Sequence, residues 1–183
     1  HMKRITFLLL SLWLAGCSVI VENQTSSLAQ SLSDAILDSD DLETVRQGAP
    51  TFLLVLDGML KNNPDSVSML RAGAQLNGAY ASIFVEEPVR QKRMLDKAFA
   101  LSSKALCLEM KDLCGVSDMN MEAFKQAYQA PTSDTVETQY VFATTWVSWI
   151  QANSDDWLAI SHLPKIELIL TSIVNFKEDY RDG

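Results

Sequence analysis

The sequence predicts an all-α fold built from stacked helical hairpins, and three observations predict it. Apolar residues recur at spacings of three and four through nearly every segment after Leu28. Turn-forming clusters such as Asn62-Asn63-Pro64-Asp65-Ser66 and Pro131-Thr132-Ser133-Asp134 separate those segments. No run alternates apolar and polar residues as a half-buried strand does. The fold centres on Ala49 to Val85. There Phe52, Leu53, Leu56, Met59 and Leu60 form one helical face, a turn reverses the chain, and a second helix follows.

At the amino terminus we read His1 as an added residue ahead of the native Met2. Lys3-Arg4, the apolar run Ile5 to Ala15 and the lipobox Leu14-Ala15-Gly16-Cys17 then form a bacterial lipoprotein signal, so residues 1–16 are read as a signal peptide. The competing reading is a membrane anchor over Ile5 to Val21, which is marginally long and carries Ser11 and Ser18. Processing makes Cys17 the lipidated first residue, and several acyl chains on it give stable anchoring. Ser18 after that cysteine, rather than Asp, points to the outer membrane. Residues 17–27 are the lipidated cysteine and a polar tether, and residues 28–183 one helical-repeat domain.

Leu28, Leu32, Ala35 and Ile36 share the face of a first helix, which ends at Asp38-Ser39-Asp40-Asp41. Asp40 or Asp41 caps a short helix over Leu42 to Gln47, and Gly48-Ala49-Pro50 is expected to break or bend the path into the hairpin. Pro64 with Asp65 or Ser66 opens the second hairpin helix, whose Ala72, Gly73, Ala74, Gly78, Ala79 and Ala81 permit close packing on two faces. Val89 to Met110 is amphipathic, and its Ala98, Ser102 and Ala105 have the four-then-three spacing of a tetratricopeptide-like crossing. The rest of that signature is poorly kept, so the repeat, an α-solenoid in architecture, is cryptic. Met119 to Ala130 is a further helix. Val136 to Ala152 is apolar on nearly every side and is expected to be central or to line a cavity or subunit contact. Asn153 to Asp156 caps a short helix with Trp157, Leu158 and Ile160, and Pro164 opens the last one.

The 15 Lys and Arg against 23 Asp and Glu give a net charge of −8, and loss of Lys3 and Arg4 with the signal deepens it by two. That balance argues against nucleic acid and against attraction to anionic membrane surfaces. A solvated acidic exterior accounts for it. Cys107 and Cys114 remain once Cys17 is acylated. Along an unbroken helix they stand about 10 Å apart, beyond disulfide reach, so pairing requires the helix to end between them. Lys111-Asp112-Leu113 before Gly115 allows that end. A local disulfide and two free structural thiols both fit; a metal site is disfavoured because no second cysteine pair or histidine cluster accompanies them.

No catalytic constellation appears. His162, alone once His1 is set aside, lacks a companion serine or cysteine motif and reads as a surface or capping contact. Phosphate loops, HExxH and GxSxG are absent, and no cofactor is expected. Phe142, Trp146 and Trp149 share one helical face, with Tyr80 and Phe84 as candidates to extend it. They are either core packing or the wall of an apolar ligand pocket or partner surface.

Two ordered blocks resemble TatT, the periplasmic lipoprotein associated with tripartite ATP-independent periplasmic (TRAP) transporters. They are Val45 to Pro50 with Leu54 to Gly58 and Ala74 to Ala81, and Trp146 to Trp157 continuing to Leu163-Pro164-Lys165-Ile166-Glu167. The resemblance covers roughly Leu42 to Val174. It implies a non-enzymatic helical scaffold that forms a homotrimer, engages the transporter's periplasmic substrate-binding protein and encloses an apolar tunnel for a hydrophobic ligand. That family continues through further helical repeats, which are expected to be missing here. Two other functions fit the residues: a stand-alone carrier of a lipid or other apolar ligand, and a structural envelope scaffold.

Overall fold

A computed structural model describes residues 26–176, which are helical with irregular links and without a strand among them. The order is α1 (residues 26–37), α2 (Leu42–Asn62), α3 (Val67–Phe84), α4 (Pro88–Glu109), a 3-10 turn (Lys111–Leu113), α5 (Met121–Ala127), α6 (Val136–Ala152), α7 (Trp157–Ile160) and α8 (Leu163–Phe176). The signal peptide, Cys17 and the tether up to residue 25 lie outside the described residues. Ser26 and Ser27, read as tether, are already helical. A helix needs residues ahead of its first apolar position to close its first turn.

Asp41 starts α2, accepting hydrogen bonds from the Thr44 amide at 3.1 Å and the Thr44 hydroxyl at 2.6 Å. The helix then runs through Pro50 to Asn62, where the sequence suggested two helices with a break. Proline has no amide hydrogen, so the carbonyl four residues earlier, on Arg46, loses its helical donor. Tyr80 supplies a substitute from α3, its hydroxyl donating to Arg46 O at 3.2 Å. A side chain from the packed neighbour thus offsets part of the cost of the proline. Along the same helix Ala49, Leu53 and Leu56 are buried against Met69, Ala72 and Leu76 of α3.

Ser66 is the N-cap of α3, its hydroxyl making no capping bond and meeting Ser68 Oγ at 3.3 Å instead. Asp65 beside it reaches across to Lys104 of α4 at 2.9 Å. The small residues of α3 then do what their size allows, and the helix packs on α2, α4 and α6 together. A Cβ on Gly73 would stand 3.1 Å from Leu101 Cδ1, so glycine lets α4 come close there. Ala98, Ser102 and Ala105 are all buried, and the Thr145 hydroxyl of α6 donates to Ser102 Oγ at 2.7 Å at the crossing of α4 and α6. Two ion pairs tie the same elements: Lys97 to Asp57 at 2.5 Å, and Arg71 to Glu137 at 3.1 Å.

Glu109 ends α4, Met110 leaves helical geometry, and the 3-10 turn brings Cys114 back to Cys107 with Cα atoms 4.5 Å apart, joined as a disulfide. Gly115 follows at φ 71°, a left-handed turn suited to glycine. Helix α5 is shorter than the expected Met119 to Ala130. Asn120 caps it by accepting from the Ala123 amide at 2.8 Å, and the Met119 carbonyl is taken by Lys165 of α8. At its other end Tyr128 turns extended, its hydroxyl donating to Gln139 at 2.8 Å.

Helix α6 is central. Val141, Phe142, Ala143 and Trp146 are fully buried, with α4 on one side and Ile166, Ile169 and Ile173 of α8 on another. Residues 157–176 are apolar and long enough to cross a membrane by length and composition alone. Their isoleucine stripe, however, completes this core. Two clusters result, one under α1 to α3 and one around α6.

Candidate functional site

The aromatic residues do not form one wall. Phe142 and Trp146 are sealed in the α6 core, where Phe99 of α4 lies 5.9 Å and 5.7 Å from them between ring centroids. Phe99 also reaches Trp149, at 5.1 Å, and the Trp149 indole donates to Asp96 at 2.8 Å. Tyr80 and Phe84 pair with each other at 5.2 Å in the other cluster, with the Arg46 guanidinium 5.3 Å from the centre of the Phe84 ring. The two groups sit on different packing faces because α2 covers the tyrosine side of α3.

Several hollows open among the described residues. Ile36, Leu42, Val45, Tyr80 and Phe84 line an apolar crevice of about 60 Å³ where α1 meets α2 and α3. Leu37, Gln75, Ala79, Tyr140, Thr144 and Ser148 line a mixed one of about 220 Å³ between α3 and α6, at the end of α1. The largest, about 450 Å³, lies between residues 117–121, α7 and the start of α8.

Lys165 closes the floor of that largest hollow. It is 3% exposed, and its ammonium donates to Val116 O at 3.1 Å and to Met119 O, with His162 Nδ1 3.4 Å away. His162 is buried, correcting its reading as a surface contact. It lies one turn ahead of the inward stripe Lys165, Ile166, Ile169 and Ile173, with its ring centroid 5.2 Å from that of Trp146. Burial lowers the pKa of His162 from its usual value, and the Lys165 charge lowers it further, against Asp118 and Asp156. Burial also lowers the Lys165 pKa, opposed by Asp118. With its three N–H directions facing two carbonyls and an imidazole, this ammonium is a clamp between α8 and the loop after the disulfide. Among the described residues no three His, Cys, Asp or Glu side chains are grouped to hold a metal ion.

The blocks that resemble TatT fall on the α2–α3 hairpin and on α6 to α8, the two sides of this core. Residues 38–183 match the family described as TAtT, TRAP transporter T-component. The chain belongs to this family. No curated protein matches it, and no solved structure does. As a T-component it is associated with a TRAP transporter, and its family with the periplasmic side of the membrane.

Two features of this T-component escaped sequence reasoning. Lys165 falls on the apolar stripe of α8, and its register was the available signal that a charge is carried inward. Trp157 and Leu158 read in the sequence as ordinary members of a short helix, yet they are 83% and 69% exposed. Nothing in a four-residue helix foretells which way its side chains face.

Proposed function

We propose that this T-component is a non-enzymatic periplasmic lipoprotein, anchored through Cys17 to the outer membrane, whose helical scaffold engages the substrate-binding subunit of a TRAP transporter. The family match over residues 38–183 carries the proposal. The packing of α2, α3, α4 and α6, cross-tied between helices by Lys97–Asp57 and Arg71–Glu137, supports a scaffold that presents surfaces. A homotrimer belongs to the same proposal. Transport of a hydrophobic ligand stands second: the crevice beside Tyr80 and Phe84, the most apolar of the hollows described, holds about 60 Å³, whereas ligand sites run to roughly 300–1,000 Å³, and the hollow of about 450 Å³ has Asp118, Asn120 and the engaged Lys165 in its lining.

Native mass spectrometry of the chain from Ser18 onward, purified from a bacterial periplasm, tests these roles together. The expected result is a trimer that takes up a TRAP-type substrate-binding protein when the two are mixed. A bare monomer that ignores that protein overturns the proposal and leaves a structural envelope scaffold. An extractable apolar mass without a protein partner favours the stand-alone carrier.

A further inference from the structure

The short helix α7 projects two large apolar side chains into solvent. Trp157 and Leu158 are 83% and 69% exposed, and Leu158 lines the mouth of the 450 Å³ hollow together with Met119, Met121 and Pro164. Leu163, 44% exposed, follows at the start of α8. Exposed apolar patches of this kind mark interaction sites, and tryptophan is over-represented among the residues that carry binding energy.

The projection is held in place. Asp156 Oδ1 accepts from the Leu158 amide at 2.9 Å, the Ser161 amide donates to Trp157 O at 3.0 Å, and Ala159 is buried beneath. Lys165 fixes the facing loop through Val116 and Met119. A surface ordered before binding loses less freedom on association.

The charges around it select among occupants. Asp118 borders the hollow, Glu122 follows Met121, and Asp155 and Asp156 precede Trp157; all four are exposed. Lys125 is the exposed cation that α5 sets against them, while Lys165 is buried and engaged. Two copies of this face brought together would oppose their carboxylates, and an anionic lipid surface would meet the same repulsion. A cleft ringed by Lys and Arg is complementary.

We propose that Trp157 and Leu158, inside this acidic rim, are the docking surface for a protein partner that offers an apolar cleft ringed by basic residues. The proposal rests on the function proposed above, which makes that partner the TRAP substrate-binding subunit. Titration of the full mature chain in detergent with a TRAP-type substrate-binding protein tests it by calorimetry. Trp157→Ala and Leu158→Ala should each weaken binding about tenfold or more. Glu122→Lys with Asp155→Lys should weaken it several-fold and remove most of its salt dependence. Leu54→Ser, at a leucine 72% exposed on α2, is expected to leave binding unchanged. Binding that survives both α7 variants overturns the docking surface and leaves the function standing; an equal loss in Leu54→Ser overturns it as generic stickiness. A homotrimer that Trp157→Ala dissolves would assign the face to copies of this chain. Absence of binding by the wild type removes the function and the docking surface together.

Discussion

The hydroxyl of Tyr80 replaces a hydrogen bond that Pro50 deletes, and that substitution can be measured. Tyr80→Phe removes the donor to Arg46 O, which stands at 3.2 Å, and leaves the ring and its packing on Phe84 in place. A net intramolecular hydrogen bond contributes about 1 kcal/mol, more if the abandoned carbonyl stays dry. Tyr80 is 8% exposed, so little water replaces the lost donor and the expected cost is about 1–1.5 kcal/mol. Pro50→Ala acts on the other side of the same bond by returning an amide hydrogen to Arg46 O. It relieves a helix-interior cost of about 3 kcal/mol, part of which Tyr80 and the settled backbone already offset. It also frees the unfolded chain by about 0.4–1 kcal/mol. The expected net gain is about 1–2 kcal/mol. The decisive quantity is the coupling. In the Pro50→Ala background Arg46 O has a backbone donor, so Tyr80→Phe should cost about 0.5 kcal/mol or less. Urea unfolding of the four proteins in the cycle reads this from midpoints at constant slope. An equal cost for Tyr80→Phe in both backgrounds refutes the reasoning, because the hydroxyl would then be serving something other than the proline gap.

Three further outcomes follow from the packing. Cys107 and Cys114 close a short loop with a sequence separation of 7, and replacing both by serine should cost about 2–3 kcal/mol, seen as a fall in the urea midpoint that reductant reproduces in the wild type. His162 should titrate by NMR below the usual histidine range, and Lys165→Met should raise its pKa by removing the neighbouring charge. Because the folded pKa lies below the unfolded one, the contribution of His162 to stability is full above about pH 6.5 and is lost as pH falls through that value toward the folded pKa. A His162→Gln variant as acid-sensitive as the wild type would place that loss elsewhere. Thr145→Val removes the buried donor to Ser102 and should cost about 1–2 kcal/mol, with a smaller increment when Ser102→Ala is already present; full additivity in thermal unfolding would contradict the contact.

What was legible in the sequence is what period and caps determine. The all-α class, the hairpin reversing at residues 62–66, the apolar character of α6 all round, a cap at Asp40 or Asp41 and another within Asn153 to Asp156 all depend on residues within a turn or two of one another. The illegible parts depend on a distant partner. Continuity of α2 across Pro50 requires a hydroxyl 34 residues away, and the late start of α5 requires an ammonium from α8, 46 residues on. The candidate aromatic site shows the same division. Phe142 and Trp146 share a face by period alone, but Phe99, which stacks on both, comes from α4. Tyr80 and Phe84 are separated from them because α3 buries two faces at once, and a helix with small residues all round does not announce which neighbour takes which side.

The distribution of packing decides where this T-component can yield and where it cannot. Helices α3, α4 and α6 meet through small residues and cross-helix polar contacts, and the hollow of about 220 Å³ opens beside that crossing. Helix α1 is different. Ala29 and Ser33 are its fully buried residues, Leu28 and Leu32 remain 58% and 42% exposed, and Gln30 Oε1 and Ser33 Oγ are buried without a hydrogen-bond partner among the described residues. Among the described residues Arg71 Nε and Gln75 Oε1 of α3 and Trp146 Nε1 of α6 are likewise buried without a partner, so it is the small number of buried residues that sets α1 apart. Its last turn forms one wall of the apolar crevice through Ile36 and Leu37. A hydrophobic ligand entering this crevice would displace α1 from α2 and α3, whereas α7 belongs with the other cluster. In the proposed roles, ligand capture and partner docking fall on separate parts of the chain, and Trp157 variants should leave any apolar-ligand binding at Tyr80 and Phe84 untouched.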